Sequence, residues 1–183
     1  EEKILIPDEN IFYIIASDKY KEKYYYPHYF FPEFKSFYSE RLKNEITSLD
    51  PNLFEKSEIE TFERKRKNGQ NDSYICKLIQ NDSIEEFIAY VNRNNLSISS
   101  AIKPSIFETN LFLLKRKSSL IEYASFYGSI QIIKYLYINQ IEVKSALWLY
   151  SIHGKNPEII HFLEENHVEQ PKINESNQCY TES

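Results

Sequence analysis

Sliding the chain on itself by 27 residues brings two stretches into register without a gap. Residues 120–139 (LIEYASFYGSIQIIKYLYIN) lie over residues 147–166 (LWLYSIHGKNPEIIHFLEEN). Leu120 meets Leu147, Tyr123 meets Tyr150, and Ile132-Ile133 meets Ile159-Ile160. Leu136 meets Leu163 and Asn139 meets Asn166, while Ile121/Trp148 and Tyr135/Phe162 stay apolar. Each copy reads as a short helix, a break at Gly128 or Gly154, and a second helix. Asn156-Pro157 gives the later second helix an N-cap and a proline at its first position. Residues 75–95 repeat the pattern more loosely, with Asp82-Ser83-Ile84 against Gly128-Ser129-Ile130. A repeat at such a period is the signature of stacked supersecondary units.

The physics of short helices explains why such units come in rows. A helix of about ten residues is marginal alone because its first turn is costly to nucleate. A pair has two apolar stripes and cannot bury both internally. Stacked pairs bury Ile132, Ile133 and Leu136 against the next pair, building a continuous core.

The flanks are less regular. Residues 1–48 are crowded with aromatics, among them Tyr24, Tyr25, Tyr26, Tyr29, Phe30 and Phe31, and Pro27 and Pro32 break any continuous helix there. Phe34, Phe37, Tyr38, Leu42 and Ile46 then fall on one helical stripe. Asp50-Pro51 and Ser57-Glu58-Ile59-Glu60 both read as helix starts, the second with capping-box spacing. That helix runs into Arg64-Lys65-Arg66-Lys67 and stops near Gly69, with its cations at the favourable end. Asp72 or Ser73 caps a segment carrying Ile75, Leu78 and Ile79. Ser83-Ile84-Glu85-Glu86 is a further capping box, opening a helix with Ile84, Phe87, Ile88 and Val91 on one face and ending at Asn92-Arg93-Asn94-Asn95. Pro104 interrupts residues 96–117, where Ser105 and Glu108 cap a turn and Lys115-Arg116-Lys117 closes the stretch. The expected organisation is a helical, aromatic-rich cap at 1–69, a helix-pair array at 70–170, and a tail or a further repeat at 171–183.

Composition mainly removes functions. The only glycines are Gly69, Gly128 and Gly154, against about a dozen at average usage. At that spacing neither a dinucleotide-binding nor a Walker phosphate loop can be written. Cys76 and Cys179 lie too far apart for a zinc knuckle, and one possible bridge is no disulfide framework, so a reducing, cytoplasmic setting is expected. The longest apolar run, residues 11–16, falls far short of a membrane span. The net charge of −5 lies wholly within residues 1–60, and the remainder balances, which disfavours a globally basic nucleic-acid binder. The chain begins at Glu1 and contains no methionine, so it reads as part of a longer protein, and a leader upstream stays open.

The two-helix unit resembles a divergent ankyrin repeat. Ser119 stands at the capping threonine, Ile121 at the leucine, Ala124 at the small packing alanine and Gly128 at the glycine, with Ile132, Ile133 and Leu136 in the second-helix core. Trp148, Ser151, Ile159, Ile160 and Leu163 follow in the later unit. Leu120 and Leu147 replace the proline of that pattern, Glu122 and Leu149 replace its histidine, and Gly154 falls one position early. Over residues 63–169 the order ERKRKNGQNDSYICKLI, IEEFIAYVNRNN, SIFETN and LIEYASFYGSIQIIKYL resembles a family of ankyrin-repeat proteins expanded in parasitic protists. Residues 1–60 match weakly, and Cys179-Tyr180 marks where a next repeat would begin. The resemblance brings no catalytic residues and no cofactor. It implies a protein-binding scaffold.

A period of 27 is about six residues short of the usual unit of about 33, leaving little room for the β-hairpin finger between Asn139 and Ser145. Contacts to an unidentified protein partner therefore fall on the inner helices, where repeat geometry places Tyr123, Phe126, Tyr127, Tyr150 and His153. Aromatics make good anchors, although rings at such positions more often simply fill gaps between repeats. Other chemistry is poorly supported. His161 and Glu164 lie one helical turn apart, but His167 is outside that spacing and H-E-x-x-H is absent. Cys76 sits on an apolar stripe and reads as a packed thiol. The basic runs read as helix-end solvation, with nucleic-acid association a lesser alternative, and the tyrosine-rich segment has acidic surroundings that disfavour base stacking. The expectation is an all-α, non-catalytic recognition scaffold. The runner-up is a structural module that starts and shields a longer repeat domain.

Overall fold

The computed structural model describes residues 29, 30, 32 and 56–171. The aromatic segment before residue 56, apart from those three residues, lies outside them, as do Asp50-Pro51 and the 172–183 tail. The described residues hold eight named helices and no strand, and they are all-α. The helices are α1 (Lys56–Asn68), α2 (Tyr74–Gln80), α3 (Ile84–Arg93), α4 (Leu111–Leu114), α5 (Leu120–Tyr127), α6 (Ile130–Ile138), α7 (Leu147–Gly154) and α8 (Pro157–Glu165). One antiparallel bridge, Ala101 to Ser119, ties down the long connector before α5. By contact the chain divides into two units: residues up to Asp72 with Ser105–Leu111, and Ser73–Pro104 with Phe112 onward.

In the first unit, α1 ends where the sequence stops it. Gly69 turns left-handed at φ +64, with Lys65, Arg66 and Lys67 in the last turn. Within the described residues this helix runs from Lys56, so Ser57 lies inside it and is not at its N-cap. Residues 105–110, which fall within the expected 70–170 stretch, fold back onto this helix end. The Gly69 carbonyl accepts from the Thr109 N–H and hydroxyl. Phe107 packs edge-to-face on buried Phe62 at 5.0 Å, with the Lys65 ammonium 5.5 Å from its ring. Ser105 caps the turn as expected, accepting from the Phe107 N–H and donating to Asp72. Glu108 is buried, and its carboxylate accepts from the Asn71 and Asn110 N–H groups at 3.3 and 2.9 Å. Burial raises the Glu108 carboxyl above its ordinary value, against the lowering effect of those donors. At Asp72 burial also pushes upward, but the Lys65 and Ser105 hydrogen bonds and the Lys65 charge outweigh it, holding the group below its ordinary range.

The second unit contains three helix–turn–helix pairs, α2/α3, α5/α6 and α7/α8. Helices α5 and α6 begin 27 residues before α7 and α8, the same shift as in the sequence. All three pairs use one backbone recipe. At the break between helices, Asp82, Gly128 and Lys155 adopt φ +50, +80 and +49. At the end of the second helix, Asn94, Asn139 and Asn166 fold their side-chain amides back onto the carbonyls of Tyr90, Tyr135 and Phe162 at 2.7–2.8 Å. The next residues, Asn95, Gln140 and His167, turn left-handed, and the N–H after each bonds back to Val91, Leu136 or Leu163. This is the Schellman arrangement that satisfies helix-end carbonyls.

The core follows from that recipe. Helix α5 packs on both α2 and α7, and α6 packs on α3. Leu120/Leu147, Tyr123/Tyr150, Ala124/Ser151, Ile132/Ile159 and Leu136/Leu163 are equivalent in the repeat and all buried. Cys76 is buried in the same cluster, as its apolar stripe predicts. The turns also stack. The Gly128 carbonyl accepts from Asn156 Nδ2 at 2.8 Å, and the Ser129 hydroxyl donates to the Ile79 carbonyl. A β-carbon on Gly154 would overlap the carbonyl oxygen of Ser125. Gly154 stands one position early because it serves close approach, while Lys155 takes the left-handed position.

Caps follow the sequence unevenly. Asn156 accepts from the Glu158 N–H, with Pro157 at the first helical position. Ser83 precedes α3 but makes no side-chain capping bond, so the expected Ser83/Glu86 box does not form. Helix α3 still starts after Ser83, and the Ser83 N–H that a box would offer to Glu86 instead closes the preceding turn onto the Leu78 carbonyl. The box forms instead at Ser119 and Glu122. The Glu122 carboxylate accepts from the Ser119 N–H at 2.7 Å, and the Ser119 hydroxyl accepts from the Glu122 N–H.

Candidate functional site

Of the five residues expected to face a partner, the structure separates two from three. Tyr123 and Tyr150 are each 1% exposed. The Tyr123 hydroxyl accepts from Gln80 Nε2 at 2.9 Å, and the Tyr150 hydroxyl lies 3.2 Å from Ser118 Oγ. Burial pushes both phenols above their ordinary range. The expectation that these two rings line an open face is corrected: they fill the space between helices. Phe126 and Tyr127 are partly buried, and His153 is exposed.

The positions follow from helix register. Phe126 and His153 are equivalent in the 27-residue repeat, and each is three residues beyond a buried tyrosine. Because α5 and α7 pack side by side, the two rings meet and stack at 5.0 Å, 26° from parallel. Phe112 of α4 completes the group. It lies 6.0 Å from Phe126 and 4.7 Å from His153, and touches the Tyr150 ring at 4.8 Å. The Arg116 guanidinium covers Phe112 at 5.1 Å. Tyr127 leans on both Phe126 and Tyr123. Ile152, beside His153, is 66% exposed. The result is a shelf of partly exposed rings across α4, α5 and α7.

Phe112 and Arg116 were not among the expected site residues. Phe112 stands in the aperiodic stretch after Pro104, where spacing assigns no face, and Arg116 reads there only as one of three cations. The 27-residue shift itself pairs Phe126 with His153 and is the signal that finds the shelf.

The arrangement suits contact more than bond making. Rings supply area and a polarisable surface, and the two buried phenols are held protonated. The histidines do not gather: His161 pairs with Glu164 at 3.4 Å on the exposed side of α8, and His167 occupies a left-handed turn. Among the described residues no group of three or more His, Cys, Asp or Glu side chains could hold a metal ion. No helix among them is long and apolar enough to cross a membrane. Of residues 64–67, Lys65 pairs with Asp72 at 3.0 Å, and Arg66 donates to the Tyr29 carbonyl and covers its ring. An open cleft of about 510 Å³ lies between Tyr137, residues 142–145 and residues 166–169, where Glu142 and Lys144 pair with each other at 3.4 Å. No protein-family model matches the chain, and no curated protein and no solved structure matches it.

Proposed function

We propose that this chain is a non-catalytic, intracellular protein-recognition scaffold built from divergent ankyrin-type helix pairs stacked as a solenoid, with the aromatic-rich N-terminal region as its cap. The observation that carries the reading is the stack of Phe126 on His153. Two positions equivalent in the repeat place rings side by side on neighbouring first helices, and Phe112 extends them into a partly exposed surface. Partly exposed aromatic clusters on rigid elements are efficient recognition anchors, because little side-chain entropy is lost on contact. The buried partners Tyr123 and Tyr150 hold that surface in place from beneath.

The test is quantitative capture of binding proteins by the intact chain against a Phe126→Ser/His153→Ser variant, with Lys134→Ser, at an exposed position of α6, as the control. Specific partners retained by the parent and control and lost by the double variant, at unchanged helicity and melting temperature, support the reading. Equal capture by all three overturns recognition through the shelf and favours a module that only starts and shields a longer repeat domain.

A further inference from the structure

Three residues before the left-handed breaks at Asp82, Gly128 and Lys155 stand Ile79, Ser125 and Ile152, equivalent positions on the three first helices. At the first two the following pair is in contact. The Ile79 carbonyl accepts from the Ser129 hydroxyl, and the Ser125 hydroxyl donates to the Leu147 carbonyl at 3.4 Å. Ile79 and Ser125 are each 0% exposed, whereas Ile152 is 66% exposed, since no further pair follows α8 among the described residues. The second helices repeat the contrast: Ile133 is fully buried, and its equivalent Ile160 only partly. The α7/α8 pair therefore presents a stacking flank with an apolar centre.

The repeat also places the charges that rim this flank. Gly128 reaches the following pair through its carbonyl, which accepts from Asn156, and Tyr137 reaches it through the Phe162 ring at 5.2 Å. Their equivalents are Lys155 and Glu164, both exposed; Glu164 also pairs with His161 at 3.4 Å. Ile152 lies about 4.5 Å before Lys155 along α7, and Ile160 about 6 Å before Glu164 along α8. The helices of the pair run in opposite directions, so the flank reads cation at the turn end, isoleucines at the centre, carboxylate at the far end.

We propose that the occupant of this flank is a second copy of the chain, bound flank to flank about a two-fold axis through the isoleucine centre. That rotation lays Lys155 of each copy against Glu164 of the second copy and isoleucine against isoleucine, so the charge order is complementary to itself. The contact continues the stacking of α5 on α7 already present inside the fold. A head-to-tail contact would bring in a different surface of the second copy and would not close.

The experiment is sedimentation equilibrium of the full chain between about 1 and about 200 µM, the range suited to an interface as small as one pair's flank. The expected result is a reversible equilibrium whose average mass levels off at twice that of the chain. Ile152→Asp should weaken association at least about tenfold, and Lys155→Glu and Glu164→Lys should each do the same. The double reversal in one chain, or an equimolar mixture of the two single variants, should return dimers to within about threefold of the parent. Ile138→Asp, exposed on α6, should leave the equilibrium unchanged. All these positions are exposed, so the variants keep the fold, which circular dichroism melts verify. A parent chain monomeric throughout, mass rising past two copies, indifference to Ile152→Asp, or single reversals that are silent or not rescued by the double would each overturn the proposal. Partner capture through the Phe126 and His153 shelf is read separately and stands or falls on its own.

Discussion

The carboxylate of Asp82 caps a helix that belongs to the following pair. Its Oδ2 accepts from the Gln131 N–H at 3.0 Å and its Oδ1 from the Ile132 N–H at 3.1 Å, across 49 and 50 residues of sequence. Asp82 thereby supplies the acceptors at the start of α6, where Ser129 makes no side-chain capping bond because its hydroxyl donates to the Ile79 carbonyl. Asp82→Ala should cost about 1–2 kcal/mol, combining a lost N-cap with a left-handed residue poorly suited to alanine. Asp82→Asn, which tolerates that conformation and keeps one acceptor, should cost less. Urea denaturation of the three chains checks the order.

The exchanged roles of Gly154 and Lys155 give a pair of opposite effects. Gly154→Ala pushes a methyl group into the Ser125 carbonyl and should destabilise by about 1–3 kcal/mol. Lys155→Gly relieves a left-handed lysine and should stabilise by about 0.5–1 kcal/mol. A Gly154→Ala chain as stable as the parent would mean that α5 and α7 approach less closely than the structure places them.

Ile133 is fully buried on α6. Ile133→Ala should cost about 2–5 kcal/mol, and Ile133→Asp should abolish the cooperative thermal transition by burying an unpaired charge. Ile138→Asp, at a position 78% exposed on the same helix, should melt like the parent. Circular dichroism melts decide both.

Glu108 and Asp72 should bend the pH dependence in opposite directions. The folded chain raises Glu108, so it holds that proton more tightly than the unfolded chain; the resulting stability is greatest in acid and is lost as pH rises past the ordinary glutamate range. Asp72 is lowered, so its contribution is present above the ordinary aspartate range and is lost on acidification. Glu108→Gln should remove the first component, leaving stability that rises more steeply with pH between about pH 4 and about pH 6. Melting temperature across that range reads the difference; parallel curves would count against a raised Glu108.

Helix pairs, their period and their buried positions were legible because 27-residue register fixes which side chains face inward at both copies at once. The asparagine ends and the Asn156-Pro157 start were legible for a local reason, since each bonds within its own turn. What local reading missed was decided by distant partners. The Ser83/Glu86 spacing is correct for a box, yet the Ser83 N–H is spent on the preceding turn and the neighbouring Asp82 reaches another helix. Tyr123 and Tyr150 carry aromatic character that fits a core or a surface equally, and only the packing of α5 between α2 and α7 settles which. Phe112 has no periodic neighbours, so its place on the shelf follows from the fold of residues 94–119.

Each pair closes on its own asparagine hook before the chain moves on, and this makes the exits modular. Seven residues lead from Asn139 to α7, whereas 25 lead from Asn94 to α5, yet both departures leave through the same left-handed turn. Lengthening by grafting is thus open to this architecture at exposed Glu142, beyond the Ile141 N–H that completes the turn, and closed at Ser129, where any insertion would pry the stacked corners away from each other.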